Sequence, residues 1–543
     1  MGVFRAEAGP ADEAAHHRQR RPRVHHHRPG PVVGAAGAGP GRLRLGHRQP
    51  GRRTVRHRRP AARPALRAPP AGTGHRPRTG LVPGRHPPTA RRATARADGR
   101  GPAVHRPAVH RRVVRRRVVR RHTCREVPPV KIVVINAYVR ENAGDAALLS
   151  VCLRQVREAF PGADVRVAGM EDPAVHPAFE DAPNLGSIRR HVADGTASRS
   201  RRILRKVYVG AACAGLLLLP ESAAGVLRRV LPAEVRREAD ALAGADLVVS
   251  TGGGYVLARP GLDGHQNVFF VLLPVLLAQR AGVPVVFAPQ SYGPFPSSLQ
   301  RRLVARALGR SPLVLAREDV SVAQLRGCGL PDTVVTRGVD SGFAFDPPAS
   351  GDWRARLGIA PQQRLVGVTA RRWLAPAAQD AYERALAATI DSVQATGARV
   401  VLIPQVSTDY LSDDDRIVER RIAAHCTAAP LLIEDRVDYR DLKGVYRECA
   451  LLIGTRFHSV IFSLTSGVPC VAIEYEHKTR GIMADLGLGA HVLAIEDVTH
   501  PRLWALVAPL LQDDSGYREQ LRRRLPGYVA EAEGFPGLLR AAL

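Results

Sequence analysis

Residues 451–472, LLIGTRFHSVIFSLTSGVPCVA, decide the fold that the rest of the chain follows. The apolar run 451–453 predicts a buried strand, and a Gly-Thr pair then turns the chain. A helix is predicted to begin at residues 456–458, because apolar side chains recur at helical spacing after them. A Gly-Val-Pro sequence ends this helix, and residues 470–473 predict the next strand. The stretch is therefore a strand–helix–strand unit of a parallel sheet.

Two chemically active side chains lie at the junction of that unit. Arg456 and His458 follow the carboxyl end of the first strand, beside the predicted helix N-terminus, and Ser459 is the predicted cap. Open α/β sheets bind anionic ligands at this position, because helix amides and the crevice above the strands meet there. We therefore take this junction as the centre of the candidate site.

The charge of the chain is concentrated at one end. The 543 residues allow two to four domains and carry a formal net charge of +31. Residues 1–128 contain 32 arginines, no lysine and only five acidic residues, so the remainder is close to neutral. The body of the chain therefore lacks the basic footprint that is typical of nucleic-acid-binding proteins.

The basic tract 1–128 has two interpretations. Its Arg-, Pro- and His-rich composition predicts disorder, and such an arm could bind nucleic acid or anionic lipid. Arginine without lysine is also what GC-rich DNA yields when it is translated out of frame. We favour this second interpretation, with a true start near Val127 or Val130, and we expect no nucleic-acid partner.

Cysteine usage and hydropathy indicate where the protein works. The seven cysteines are scattered without a CxxC pair, so we expect free thiols in a reducing cytoplasm. The longest apolar run, residues 207–220, is too short to span a membrane. Basic residues flank it on both sides. It is interpreted as a core helix or, alternatively, as a contact with the inner face of the plasma membrane.

The order of predicted elements gives the architecture. Strands alternate with helices from Lys131 to about residue 345, and the alternation resumes at Arg364 after a Pro- and Gly-containing linker. Two runs of this kind predict an α/β protein with two doubly wound Rossmann-like domains, residues 130–347 and 352–543. Their strand-end loops would face a common cleft, which is the GT-B-like plan.

Three further features of the first half are expected at that cleft. Asp145 is either a helix N-cap or a site residue. The turn Gly252–Gly254 lets backbone amides approach a ligand closely, although a tight turn without a ligand has the same pattern. Arg317 follows a predicted strand, where it either grips an anion or forms a structural pair with an aspartate.

The combination of these side chains indicates a class of ligand. Arg317 and Arg456 with His458, and no cluster of metal ligands, fit a small ligand with two or three negative charges. His458 can also exchange a proton near neutral pH.

Several stretches resemble the polysaccharide pyruvyl transferases. These stretches occur in family order over residues 130–500: NAGDAAL (142–148), STGGG (250–254), VVFAPQSYGPF (285–295), LAREDVS (315–321), IGTRFHSVIFSLTSGVP (453–469) and EYEHKTRGIMADLGL (474–488). The resemblance implies a transferase that moves the enolpyruvyl group of phosphoenolpyruvate onto a sugar of a cell-surface or exopolysaccharide precursor. The product would be a cyclic pyruvate ketal.

The resemblance also implies roles for individual residues. Arg317, Arg456 and His458 would hold the carboxylate and phosphate of the donor, and His458 would transfer the proton. No metal and no cofactor is expected, and the partners would be phosphoenolpyruvate and a glycan or lipid-linked acceptor. The expected substrate-binding residues are Asn142, Gly144, Asp145, Gly252, Gly253, Gly254, Gln290, Ser459, Glu474 and Lys478.

Two alternatives remain open at this point. A GT-B nucleotide-sugar glycosyltransferase would share the architecture, with residues 474–478 holding a ribose or diphosphate. A nucleic-acid-binding protein would instead use the basic tract. The segment 171–235 has no readable pattern and is a candidate for acceptor recognition.

Overall fold

The structure is a computed structural model that describes residues 128–193, 198–348, 351–408 and 413–543. Residues 1–127 lie outside the described part, and so do the predictions that concern the basic tract. In the described part, no helix combines the length and apolar character needed to cross a membrane. All six cysteines of that part are free.

The first half contains nine strands and eight α-helices in the described residues. In chain order they are β1 Lys131–Ala137, α1 Ala143–Ala159, β2 Asp164–Gly169, β3 Ala178–Phe179, β4 Ala182–Pro183, α2 Ile188–Ala193, α3 Arg199–Leu218, α4 Glu221–Val230, α5 Ala233–Ala243, β5 Leu247–Ser250, β6 Gly253–Val256, α6 Leu262–Arg280, β7 Val285–Tyr292, α7 Ser298–Leu308, β8 Leu313–Ala316, α8 Asp319–Gly327 and β9 Val335–Arg337.

Seven of these strands form one parallel sheet. Its order is β2-β1-β5-β7-β8-β9, with the short strand β6 paired beside β7. The order changes direction between β1 and β5, where Ile132 pairs with Leu247. Ligands of open α/β sheets bind above the strand ends at such a point of reversal. The loops that follow β1 and β5 therefore lie at the favoured position.

The described residues of the second half form six strands and nine α-helices. In chain order they are α9 Trp353–Arg356, β10 Leu365–Thr369, α10 Pro376–Ala395, β11 Arg399–Leu402, α11 Asp415–His425, β12 Leu431–Leu432, α12 Tyr439–Glu448, β13 Leu451–Gly454, α13 Phe457–Thr465, β14 Cys470–Glu474, α14 His477–Asp485, β15 Val492–Ala494, α15 His500–Gln512, α16 Ser515–Glu533 and α17 Phe535–Ala542.

The second sheet is also parallel and runs in the order β12-β11-β10-β13-β14-β15. This is the strand order of a dinucleotide-binding Rossmann domain, and its reversal lies between β10 and β13. The prediction of two doubly wound Rossmann-like units is therefore confirmed. Arg456 follows β13 directly, so the candidate junction lies at the reversal point of the second sheet.

The last two helices return to the first half of the chain. Helix α17 packs against α1, and Arg154 of α1 forms an ion pair with Glu533 at 2.8 Å. The buried Gln155 side chain donates a hydrogen bond to the Ala532 carbonyl at 2.7 Å. Helix α1 also contacts α12 and α13. These contacts bring the two sheets together along α1, and the sequence pattern did not predict them.

Two local features add detail to the predicted alternation. Residues Ser341–Ala344, near the end of the first half, form a 3-10 turn that packs against α1. The predicted turn Gly252–Gly254 runs into strand β6, because Gly253 pairs with Gln290 of the neighbouring strand β7. Gly253 adopts a φ of 142°, a conformation that glycine tolerates best.

Candidate active site

Four helices begin at the carboxyl ends of parallel strands around one cleft. They are α1 and α8 of the first half and α13 and α14 of the second. The ring of Phe457, in the first turn of α13, connects three of the surrounding segments. The Arg317 guanidinium lies 4.8 Å from its centroid, and the Lys478 ammonium lies 5.2 Å from it. Cations from both halves therefore share one aromatic ring.

Gly144 of the first half lies close against His458 of the second half. A Cβ atom added to Gly144 would lie only 2.0 Å from Nδ1 of His458. The glycine is therefore required for the α1 N-terminus to approach this imidazole. Asn142 caps α1 by accepting hydrogen bonds from the amides of Gly144 and Asp145. Asp145 is thus not the N-cap, and its carboxylate is left to face the cleft residues.

Arg317 is buried, with 2% of its surface exposed, and part of its guanidinium group is hydrogen-bonded to residues of the first half. Its Nη1 donates to the carboxylate of Asp340 at 2.5 Å, and its Nε donates to the Ser291 hydroxyl at 2.8 Å. Its Nη2 makes no hydrogen bond within the described residues, and a Cβ added to Gly254 would lie 3.9 Å from that atom. Arg317 therefore has both a structural partner and one donor group available at the glycine loop.

Arg456 is more fully engaged than Arg317. Its Nε lies 3.0 Å from both carboxylate oxygens of Asp415, and its Nη1 lies 3.3 Å from Asp413. Asp415 is 1% exposed and also accepts hydrogen bonds from the amides of Gln405 and Val406. The pair fixes the loop before α11 against the start of α13. Contact of Arg456 with a donor stays a prediction.

The Asp145 carboxyl is held in a largely buried position. It accepts short hydrogen bonds from the Tyr255 hydroxyl and from the side-chain amide of Asn142. Burial raises its pKa to about 6, although the Tyr255 hydrogen bond and three nearby cations oppose the rise. A carboxyl group with this pKa exchanges its proton close to neutral pH.

His458 has the opposite shift. Burial lowers its pKa to about 4, and the charges of Arg317 and Lys478 add to this effect while Asp340 opposes it. The imidazole is therefore neutral at pH 7. Its Nε2 is buried and has no hydrogen-bond partner in the described part of the chain. A neutral imidazole with an unpaired buried nitrogen is suited to accept a proton from a bound molecule.

An aromatic pair and an arginine extend the site on the side of the first half, and the sequence analysis missed their role. The rings of Tyr138 and Tyr255 stack with centroids 5.3 Å apart, and the Arg189 guanidinium lies 5.5 Å from the Tyr255 centroid. Burial lowers the pKa of Arg189, and its buried Nη1 has no hydrogen-bond partner among the described residues. The only sequence signal was a tyrosine directly after the glycine turn.

Other predicted residues support the site from beneath or beside it. Gln290 is fully buried in β7 and donates to the Ser250 hydroxyl at 3.4 Å. A Cβ added to Gly252 would lie 2.8 Å from the Pro289 carbonyl, so its glycine identity serves close backbone packing. These residues shape the floor of the glycine loop.

Three predicted side chains are bound by neighbours in their own half. Ser459 was expected to cap α13, but Arg456 is the N-cap residue, and the fully buried Ser459 hydroxyl contacts Thr369 at 2.8 Å. Glu474 pairs with Arg480. Lys478 pairs with Glu476 at 2.7 Å and keeps its contact with the Phe457 ring.

Residues 142–477 match the model of the family described as polysaccharide pyruvyl transferase. The chain belongs to the polysaccharide pyruvyl transferase family. The match begins at the N-cap of α1 and ends at the first residue of α14, so it includes the glycine loop, Arg317 and the Arg456–His458 junction. Membership in this family supports a transferase whose acceptor is a polysaccharide or its precursor.

A curated relative also matches the chain. The amylovoran biosynthesis protein AmsJ of Erwinia amylovora is 26% identical over 309 residues, which are 54% of this chain and 72% of that protein. The relationship extends over most of AmsJ.

Solved structures with similar folds are more distant. The UDP-GlcNAc 2-epimerase of Neisseria meningitidis, bound to UDP-GlcNAc, is 12% identical with a TM-score of 0.47 over 76% of this chain and 99% of that chain. The spinosyn rhamnosyltransferase SpnG is 14% identical with a TM-score of 0.40 over 75% of this chain and 99% of that chain. Identity and TM-score are too low to indicate a substrate for this chain.

The Arg456–Asp415 pair predicts a loss of stability when either partner is changed. We expect Arg456→Lys or Asp415→Asn to lower the thermal unfolding midpoint by about 4–8 °C, because each leaves a buried charged group with a poorer partner. Arg420→Lys, at the exposed Arg420–Glu434 pair of the same region, is the matched control and should change the midpoint by under about 2 °C. Differential scanning calorimetry measures all three.

The opposite result would assign Arg456 to donor binding. If Arg456→Lys unfolds at the wild-type temperature but no longer binds phosphoenolpyruvate, its guanidinium contacts the donor and does not brace the fold.

Proposed function

We propose that this protein transfers the enolpyruvyl group of phosphoenolpyruvate to a sugar of a cell-surface or exopolysaccharide precursor and forms a pyruvate ketal. The observation that carries the proposal is the neutral His458 with its unpaired Nε2, beside the available Nη2 group of Arg317. Family membership supplies the reaction class, and these two groups supply donor recognition and proton transfer.

The charges around the cleft fit the donor. Phosphoenolpyruvate carries a carboxylate and a phosphate on adjacent positions, so it needs at least two separated cationic contacts. Arg317 and Lys478 lie on the same Phe457 ring and can each take one anionic group. The first turns of α1 and α13 add the positive ends of two helix dipoles.

The separated pKa values of Asp145 and His458 support an assignment of the proton transfers. When two groups of one site have pKa values of about 6 and about 4, the first is largely protonated and the second is free to accept a proton at pH values between these two. Asp145 therefore protonates the methylene carbon, which makes C2 electrophilic. This assignment revises the expectation that His458 is the donor, since burial keeps its imidazole neutral.

Two successive additions of sugar hydroxyls to C2 then form the ketal. The first sugar hydroxyl attacks C2 and gives its proton to His458, and phosphate leaves with that proton. The second hydroxyl attacks the same carbon and returns a proton to Asp145, which completes the ring and restores both groups. General acid and base catalysis of this kind contributes about 10²- to 10⁴-fold to the rate.

The stacked pair Tyr138–Tyr255 and the adjacent Arg189 are assigned to the acceptor. Aromatic faces pack against sugar rings, and this pair contacts the site through the Tyr255 hydroxyl on Asp145. Arg189 can bind an acidic group on the acceptor, because its Nη1 is buried and unpaired in the described structure.

A second candidate function is transfer from a nucleotide sugar. The observation that favours it is a cluster in the second half, where Arg371 lies 4.8 Å from the ring of Trp373 and 4.3 Å from that of Tyr475. An aromatic and cationic surface of this kind can stack a nucleobase. The first experiment below separates the two functions.

Phosphoenolpyruvate-dependent phosphate release is the direct test of the proposed function. The wild-type protein should bind phosphoenolpyruvate and release phosphate when given bacterial exopolysaccharide fragments or lipid-linked oligosaccharides. His458→Ala should lower the rate by at least about 10²-fold with an unchanged unfolding temperature, because it removes the proton acceptor. His425→Ala, an exposed histidine of α11, is the control. Thermal protection by UDP or GDP but not by phosphoenolpyruvate would instead favour the nucleotide-sugar transferase.

The pH dependence of kcat/KM tests the role of Asp145. If its protonated form is required, kcat/KM should fall about tenfold per unit above pH 6, and Asp145→Asn should remove this fall. A fall that persists in Asp145→Asn belongs to the titration of the donor phosphate. A rise between pH 6 and 8 that depends on Asp145 would mean that its carboxylate acts as the base.

Substitution of Arg189 tests the acceptor assignment. Arg189→Gln should raise the KM for an acidic acceptor by about 10-fold or more and leave the KM for phosphoenolpyruvate within twofold, since a charge-assisted hydrogen bond is lost on one substrate only. Arg237→Gln, an exposed arginine of α5, should change neither KM. An equal rise in the KM for phosphoenolpyruvate would instead assign Arg189 to the donor site.

A further inference from the structure

Helix α3 has apolar side chains on two opposite sides. One side is buried against the domain: Val209 and Cys213 are fully buried, and Leu216 is 4% exposed. The other side is open, and it carries large side chains that are 54–82% exposed: Ile203, Leu204, Val207 and Leu218. Residues four positions apart, such as Ile203 and Val207, lie on the same side of a helix. Leu218 follows Val207 by about three helical turns and therefore lies on that side as well. The exposed residues therefore form one continuous stripe.

Helix α4 lies beside α3 and extends the exposed apolar area. Val226 is 63% exposed and Val230 is 59% exposed. The two helices form an antiparallel hairpin, because the Tyr208 hydroxyl bonds to the Val230 carbonyl and Leu227 packs beside Gly215. Single exposed leucines are common on protein surfaces, but a contiguous patch of large aliphatic side chains marks an interaction surface. We call this patch the α3–α4 face.

Basic residues gather at one end of the hairpin. The antiparallel arrangement brings the start of α3 next to the end of α4, and these segments contain six basic residues: Arg201, Arg202, Arg205, Lys206, Arg228 and Arg229. Glu221 is the only acidic residue between positions 200 and 230. Residues 207–220, which include the other end of α3, contain no charged residue.

We propose that the α3–α4 face docks onto the surface of an anionic lipid bilayer. The aliphatic stripe enters the boundary between headgroups and acyl chains, while the exposed Arg201 and Arg229 at the basic end contact lipid phosphates, as amphipathic interfacial helices do. A second copy of this chain is the less favoured occupant. A two-fold contact that sets the two hairpins parallel would bring the two basic ends near each other, with two glutamates to offset twelve positive charges.

The proposal goes beyond the transferase function and does not depend on it, because its test is a binding measurement. Full-length protein is mixed with vesicles of phosphatidylcholine and phosphatidylglycerol at a ratio of about 7:3, and the bound fraction is measured by flotation. The double variant L204D/L218D places two carboxylates on the face. Leu299→Asp is the matched control, because Leu299 is a 62% exposed leucine of α7 outside the face.

The expected result is specific to the apolar stripe. L204D/L218D should lower the partition coefficient at least tenfold, and Leu299→Asp should leave it within twofold. All proteins carry the same arginine-rich residues 1–128, so electrostatic binding by that tract is equal among them and is further screened at 0.5 M NaCl. Equal partition of the wild type and L204D/L218D would overturn the proposal.

Insertion is measured separately with a fluorescent reporter. Leu218→Trp should be quenched by lipids brominated on their acyl chains, whereas Leu299→Trp should not. Equal quenching of the two would overturn the docking geometry. If L204D/L218D instead converts a dimer into a monomer in light scattering and binds vesicles as the wild type does, the face is a contact between copies and the bilayer proposal is wrong.

Discussion

The close approach of α1 and α13 is the constraint on which the cleft depends. The first turns of these helices belong to different sheets, and they meet where Gly144 faces His458 without a side chain between them. A methyl group at this position would displace the imidazole or separate the two halves. Burial at this junction shifts the pKa values of Asp145 and His458 in opposite directions. One steric condition thus sets both the geometry and the acid–base chemistry.

Close packing at this junction also buries two arginines, and their guanidinium groups differ in their hydrogen-bond partners. Each needs a carboxylate from its own half, because an unpaired guanidinium in this position would be costly. Asp340 occupies only one end of Arg317, whereas Asp415 and Asp413 engage all three nitrogen atoms of Arg456. The two residues looked equivalent as arginines after strands. Their partners make Arg317 the better candidate for ligand binding and Arg456 the better candidate for a brace.

The alternation of apolar runs and helical spacing was sufficient to predict the parallel sheets, and strands β13 and β14 have the expected bounds within one residue. Side-chain partners were not predictable in the same way. Asp340 and Asp415 lie 23 and 41 residues from their arginines, in segments without a regular period. The role of Arg189 depends on a stacking contact with Tyr255, which lies in another element. Local pattern gives the elements, whereas the site depends on their packing.

Helices α2–α5 connect the Tyr138–Tyr255 side of the cleft with the α3–α4 face. Arg189 lies in α2, and α2 packs directly against α3, whose outer side carries the exposed stripe. A bilayer under that stripe would therefore lie on the α3 side of α2, the helix whose Arg189 contacts the Tyr255 ring. If the proposed transferase function and the proposed docking both hold, a lipid-linked acceptor would reach the cleft from the α3 side, past the basic start of α3, where Arg205 donates to the His191 carbonyl of α2.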